Sequence, residues 1–147
     1  MKDNYVILDE IAYDDGGYET TINTPIGTFS GYTEPDETDA KYPSTYHAAE
    51  ISLGKALRRY AETSVNLLKH DVKMLTGLID QAIHFANGDR SAINNNSFRL
   101  IHGLLKQKKE ELALWESRVK GLTKNITNRV AARDKIVAGY IEKDKAE

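Results

Sequence analysis

Six carboxylates fall on two turn segments that also carry tyrosine: Asp14 and Asp15 in "DDGG", and Glu34, Asp36, Glu37 and Asp39 in "TEPDETDAKYP", flanked by Tyr32 and Tyr42. Tyrosine beside carboxylate is interface chemistry. The ring offers rigid apolar area with a polar tip, and the charge steers a basic partner. Six of the eight tyrosines lie in residues 1–46, as Tyr5, Tyr13, Tyr18, Tyr32, Tyr42 and Tyr46. The competing reading is that the tyrosines pack a small sheet while the acids solvate a loop.

Other chemistry is poorly represented. There is no glycine-rich phosphate loop, no G-x-S-x-G, no H-E-x-x-H and no EF-hand spacing. Zero cysteines exclude disulfides, thiolate metal sites and cysteine nucleophiles. Of the four histidines, His84 and His102 fall near one end of a helical hairpin. A metal there would need a further carboxylate such as Asp80 or Asp89, so surface histidines are the simpler reading. Hence no enzyme, no cofactor and no metal is expected.

The net charge of −2 conceals a polarity. Residues 1–42 hold ten acids against Lys2 and Lys41, a balance of −8, and residues 43–147 hold eighteen Lys and Arg against twelve acids, a balance of +6. Arg118, Lys120, Lys124, Arg129, Arg133 and Lys135 run along the second helix, and such a row could contact phosphates. Glu116, Asp134, Glu142 and Asp144 are interspersed, so direct nucleic-acid binding ranks second to solvation or pairing with the acidic part.

These groups must be positioned by two kinds of element. "YVILDEIAY" (5–13), "YETTIN" (18–23) and "TFSGYT" (28–33) read as strands, with "DDGG" and "TPIG" as the intervening turns. Together they predict a three-stranded antiparallel meander over 4–33, with Phe29 and Ile26 as candidates to face inward. Residues 34–43 form an acidic connector closed by Pro43, and Ser44 stands where an N-cap belongs. From Ala61 onward apolar positions alternate four and three (61, 65, 68, 72, 75, 79, 82, 86), a heptad seam. A second seam runs through Ile101, Leu105, Lys108, Leu112, Trp115, Val119, Leu122 and Ile126, with Ser97 a candidate cap. Beyond it Arg129 and Arg133 occupy apolar slots, and Val130 and Val137 shift to a neighbouring position. That tail is expected to run beside residues 45–60.

The fold class is therefore α+β, mostly α. A meander with its connector (1–43) precedes an antiparallel helical hairpin (44–147, helices about 44–87 and 97–143), the whole forming one folding unit. Leu67, Met74, Leu78 and Phe85 make a second apolar stripe off the first seam, and Leu100, Leu104 and Leu114 make another on the second helix. A meander about 20 Å long, joined at residue 44 to a helix about 60 Å long, does not reach the stripe at Phe85. A homodimer packed through the loop-proximal halves, closing a four-helix bundle through these residues, would cover it; the alternative is a long, partly exposed apolar flank. No signal peptide or membrane span is expected, and the chain reads as cytoplasmic.

At "TPIGTFSG", followed by the acidic loop and the helix opening "STYHAAEISLGKALRRY", the chain resembles a group of small bacteriophage and prophage proteins. They share a G-T-F-x-G β-hairpin, an acidic connector and a charged helical remainder. The matching residues are Gly27, Thr28, Phe29, Gly31 and the acids of 34–39, about a fifth of the chain. The resemblance implies a mobile-element accessory protein, of a kind that often inhibits host defence, anti-CRISPR proteins included. It implies no catalytic residue and transfers no individual binding residue. The expectation is a phage-derived inhibitor that contacts a basic host protein, such as a nucleic-acid-binding effector, through its acidic connector and hairpin tip. The alternatives are a nucleic-acid-binding accessory protein and a structural phage component.

Overall fold

The computed structural model describes residues 4–35, 45–86 and 95–146. It has three strands, β1 (Val6–Ala12), β2 (Tyr18–Thr24) and β3 (Gly27–Thr33), followed by two long helices, α1 (Thr45–Phe85) and α2 (Asn95–Ala146). The fold is α+β and mostly α, as the patterning predicts. The strands form one antiparallel sheet in the order β1-β2-β3. Ser44, the expected cap of α1, lies outside the described residues. Ser97 is not the cap of α2, because that helix already begins at Asn95.

Turn chemistry sets the meander. Between β1 and β2, Tyr13 and Gly17 close a hairpin loop of three residues, 14–16. Tyr13 N–H donates to Gly17 O at 2.8 Å and Gly16 N–H to Tyr13 O at 3.0 Å, with Gly16 at φ 95°. Asp15 Oδ1 accepts from Gly17 N–H at 2.9 Å, a local bond typical of Asp in turns. At the β2–β3 turn Thr24 pairs with Gly27, whose φ of 136° favours glycine. Thr24 Oγ1 donates to Gly27 O at 2.7 Å across that turn. Ile26, a candidate for the core, is exposed at its tip.

The chain divides into two compact units. The first comprises the sheet, α1 as far as Ala61, and α2 from Arg118. The inner face of the sheet buries Thr20, Ile22 and Thr24 of β2 and Gly31 and Thr33 of β3. α1 contributes Ala48, Ile51, Ser52, Ala56 and Tyr60 to the same core. Phe29 stacks on Tyr60 at 5.9 Å. Thr33 and Ser52 meet through their hydroxyls; Thr33 also donates to Ala48 O at 2.9 Å, and Ser52 lies 2.9 Å from Tyr18 O. α2 packs here as expected: Ile126 fills the space beside Gly54, and Arg129 pairs with Glu50 at 3.7 Å. The expected shift of the seam holds only at Val137, which is buried while Ile136, the position in register, is exposed. Arg133 is buried while Val130 is exposed. Arg133 occupies its apolar slot and donates from Nη1 to Glu34 O at 3.4 Å.

The second unit is Glu62–Ser117, a helical hairpin. Val65, Leu68 and Ile79 are its buried seam residues on α1. Lys108, the polar residue of the α2 seam, is accounted for by Asp71, which it meets at 3.7 Å. Both groups are partly solvated, so the pair orders the seam more than it stabilises it.

Candidate functional site

Strand pleating separates the buried row of the sheet from an outward row. Register places Ile11 opposite Glu19, and Glu19 opposite Tyr32, so these three share the outward face. Tyr13, which precedes the hairpin loop, meets Tyr32 edge-to-face at 6.0 Å and 70°. Both rings are about 40 % exposed. Such a pair is stiff, because each ring restricts the other's rotamers, and the Tyr32 hydroxyl packs against Gly17.

Carboxylates surround this pair. Partial desolvation, then Asp15, Glu34, the neighbouring Tyr13 and Glu19, push the Tyr32 phenol above its ordinary value of 10.0. Tyr18 is raised as well, by desolvation and by Glu10, to which it is hydrogen-bonded. The backbone that holds the cluster is pinned from the helices. Lys55 Nζ donates to Tyr32 O and Arg59 Nη1 to Ser30 O, both at 2.9 Å, and Arg133 reaches Glu34 O. Gly17 is buried against the cluster; a Cβ there would crowd the Tyr32 ring and stand 3.1 Å from Asp15 Oδ1.

The structure thus brings together Asp15, Tyr32 and Glu34 from the expected contact set, with Asp14 exposed at the same tip. Asp36, Glu37, Asp39 and Tyr42 lie outside the described residues. Tyr13 and Glu19 belong to the cluster without having been singled out in the sequence. Their signal was the hairpin register, which sets Glu19 across from Tyr32.

The two edges of the sheet differ. α1 cations cap β3 carbonyls, as above, whereas β1 is exposed at all seven residues, Val6, Ile7, Leu8 and Ile11 included. The register shift between Ile7 and Asp9 breaks its regularity, and Asp9 and Glu10 add charge. Such features discourage edge-to-edge aggregation.

The six basic residues of α2 do not form one face. At 100° per residue, Arg118, Arg129 and Arg133 fall on one side of the helix and Lys120, Lys124 and Lys135 on roughly the opposite side. Arg129 is engaged with Glu50, Arg118 is half-buried, and Arg133 is only 7 % exposed. Only the three lysines stand exposed. The patterning treated all six as one strip because spacing along a helix carries no record of which side the sheet and α1 occupy.

His84 packs beside Phe85, and His102 beside Phe98 at 4.4 Å. Among the described residues no three His, Asp or Glu side chains are grouped to hold a metal ion. No described helix is long and apolar enough to cross a membrane.

No protein-family model matches this chain, and neither a curated protein nor a solved structure matches it significantly.

Proposed function

We propose that this chain is a non-enzymatic binding protein that docks the acidic, tyrosine-bearing end of its sheet onto a basic surface of a partner protein and blocks it. The observation that supports this is the gathering of Asp15, Glu19 and Glu34 around the exposed Tyr13–Tyr32 pair. Rigid aromatic area supplies affinity, since little side-chain freedom is lost on docking, and the surrounding carboxylates supply orientation and on-rate. Its sharper form is a phage or mobile-element inhibitor, anti-CRISPR-like, whose carboxylates occupy a nucleic-acid groove of a bacterial host effector in place of phosphates. That form rests on the resemblance of the G-T-F-x-G hairpin and acidic connector.

The test is capture by tagged protein from nuclease-treated bacterial lysate at moderate salt. The wild type is expected to retain one stoichiometric protein partner. Asp15→Lys with Glu34→Lys should release it, while Lys120→Glu with Lys124→Glu should leave it bound. If no protein is retained, and untreated lysate yields only nucleic acid that Lys120→Glu with Lys124→Glu no longer captures, the acidic site is not the contact.

A further inference from the structure

The second unit leaves seven large apolar side chains exposed: Leu67, Met74, Leu78 and Phe85 on α1, and Leu100, Leu104 and Leu114 on α2. Phe85 is 82 % and Leu100 74 % exposed. Scattered exposed leucines need no explanation, but a contiguous patch of this size does.

Their placement is regular. With 65, 68, 72, 75 and 79 as the a and d positions of the α1 seam, Leu67 and Met74 fall at c, and Leu78 and Phe85 at g. With 101, 105, 108, 112 and 115 as the α2 seam, Leu100 and Leu114 fall at c and Leu104 at g. In an antiparallel helix pair the g positions of both helices flank the same side of the seam. The two rows therefore lie side by side and form one continuous face. Gly77 and Gly103 border it, each with open space where a Cβ would stand, so another helix can approach closely. Asn96, Arg99, Leu100, Gly103, Leu104 and Gln107 line a shallow groove on that side. Charge is sparse: Arg99 stands at the loop end of the groove, Asp71 is engaged by Lys108, and Glu111 by Gln107 Nε2 at 3.4 Å.

We infer that this face closes against the same face of a second copy, giving a four-helix bundle. The seven side chains expose on the order of 100 Å² each, so the face offers roughly 700–800 Å² per copy, the contribution of one partner to a standard-size stable interface. A face depleted of charge does not suit the basic partner proposed for the acidic cluster, and none of that cluster's residues lies in this unit. Two side-by-side apolar rows on antiparallel helices are self-complementary under a two-fold axis, which closes the assembly at two.

Sedimentation equilibrium on the full chain tests this. The expected mass is twice the 16.5 kDa of one chain. Leu78→Glu with Leu104→Glu should shift the protein to a single-chain mass with its helical circular dichroism retained, since both sites are solvent-exposed. A wild type that stays monomeric at high micromolar concentration overturns the inference, as does a dimer that survives the double substitution. Should the double variant lose its helical signal, a nitroxide on Gln107→Cys decides, because the chain has no other cysteine. A discrete distance between two labels supports the bundle, and its absence refutes it.

Discussion

Gly31 of β3 lies against the backbone of α1 so closely that a Cβ would stand 2.6 Å from Ala56 N and 2.9 Å from Lys55 Cβ. It is the point where sheet and helix touch main chain to main chain.

Gly31→Ala should cost at least about 3 kcal/mol, the upper end of ordinary overpacking, because rigid backbone rather than a flexible side chain stands in the way. Urea denaturation followed by circular dichroism measures it. A loss under about 1 kcal/mol would mean that the sheet and α1 sit farther apart. Gly27→Ala should cost less, since it meets only the penalty of its positive φ and no neighbouring atom.

Thr20 is fully buried and its Oγ1 has no hydrogen-bond partner. Thr20→Val, which keeps the shape and removes the stranded hydroxyl, should raise stability by about 1 kcal/mol. Ser52→Ala should do the reverse. It removes a hydroxyl within hydrogen-bond reach of Thr33 Oγ1, Tyr18 O and Ala48 O, at a cost of about 1–3 kcal/mol. The midpoint of denaturation for each variant checks both signs.

Arg133→Glu should destabilise the fold by roughly 3 kcal/mol or more, because it sets an unmatched carboxylate in a buried seam position of the acidic first unit. Lys124→Glu, on the exposed side, should change stability by less than about 0.5 kcal/mol. Thermal melts separate the two. Equal effects would mean that Arg133 is not part of the core.

Tyr32 and Tyr18 should ionise above the ordinary tyrosine value of 10.0. Their folded pKa values are raised, so the folded state holds these protons more tightly than the unfolded chain does. The resulting stability is fully present below the ordinary value of 10.0 and is lost as pH rises through the folded values. Absorbance titration at alkaline pH should show a late component that shrinks in Tyr32→Phe. High salt should move it only partly, because desolvation, the largest cause for both residues, is not screened.

Much of the architecture was legible in the residues. Alternation and turn residues gave three strands, here Val6–Ala12, Tyr18–Thr24 and Gly27–Thr33, and the four-three spacing from Ala61 gave the helices. The polar interruption at Lys108 was legible only as an anomaly, since its partner Asp71 lies on the other helix. Of the acidic site, Asp15, Tyr32 and Glu34 could be chosen from composition, while Tyr13 and Glu19 required register.

Local patterning along the chain determined the elements, their order and the apolar rows, because hydrophobic period and turn propensity act over a few residues. Only the tertiary structure decided which side of each element is covered. It turned Arg133 inward and Val130 outward, split the α2 cations onto opposite sides, and clasped Gly31 to α1. Burial is a property of what lies opposite, and residues distant in sequence supply it.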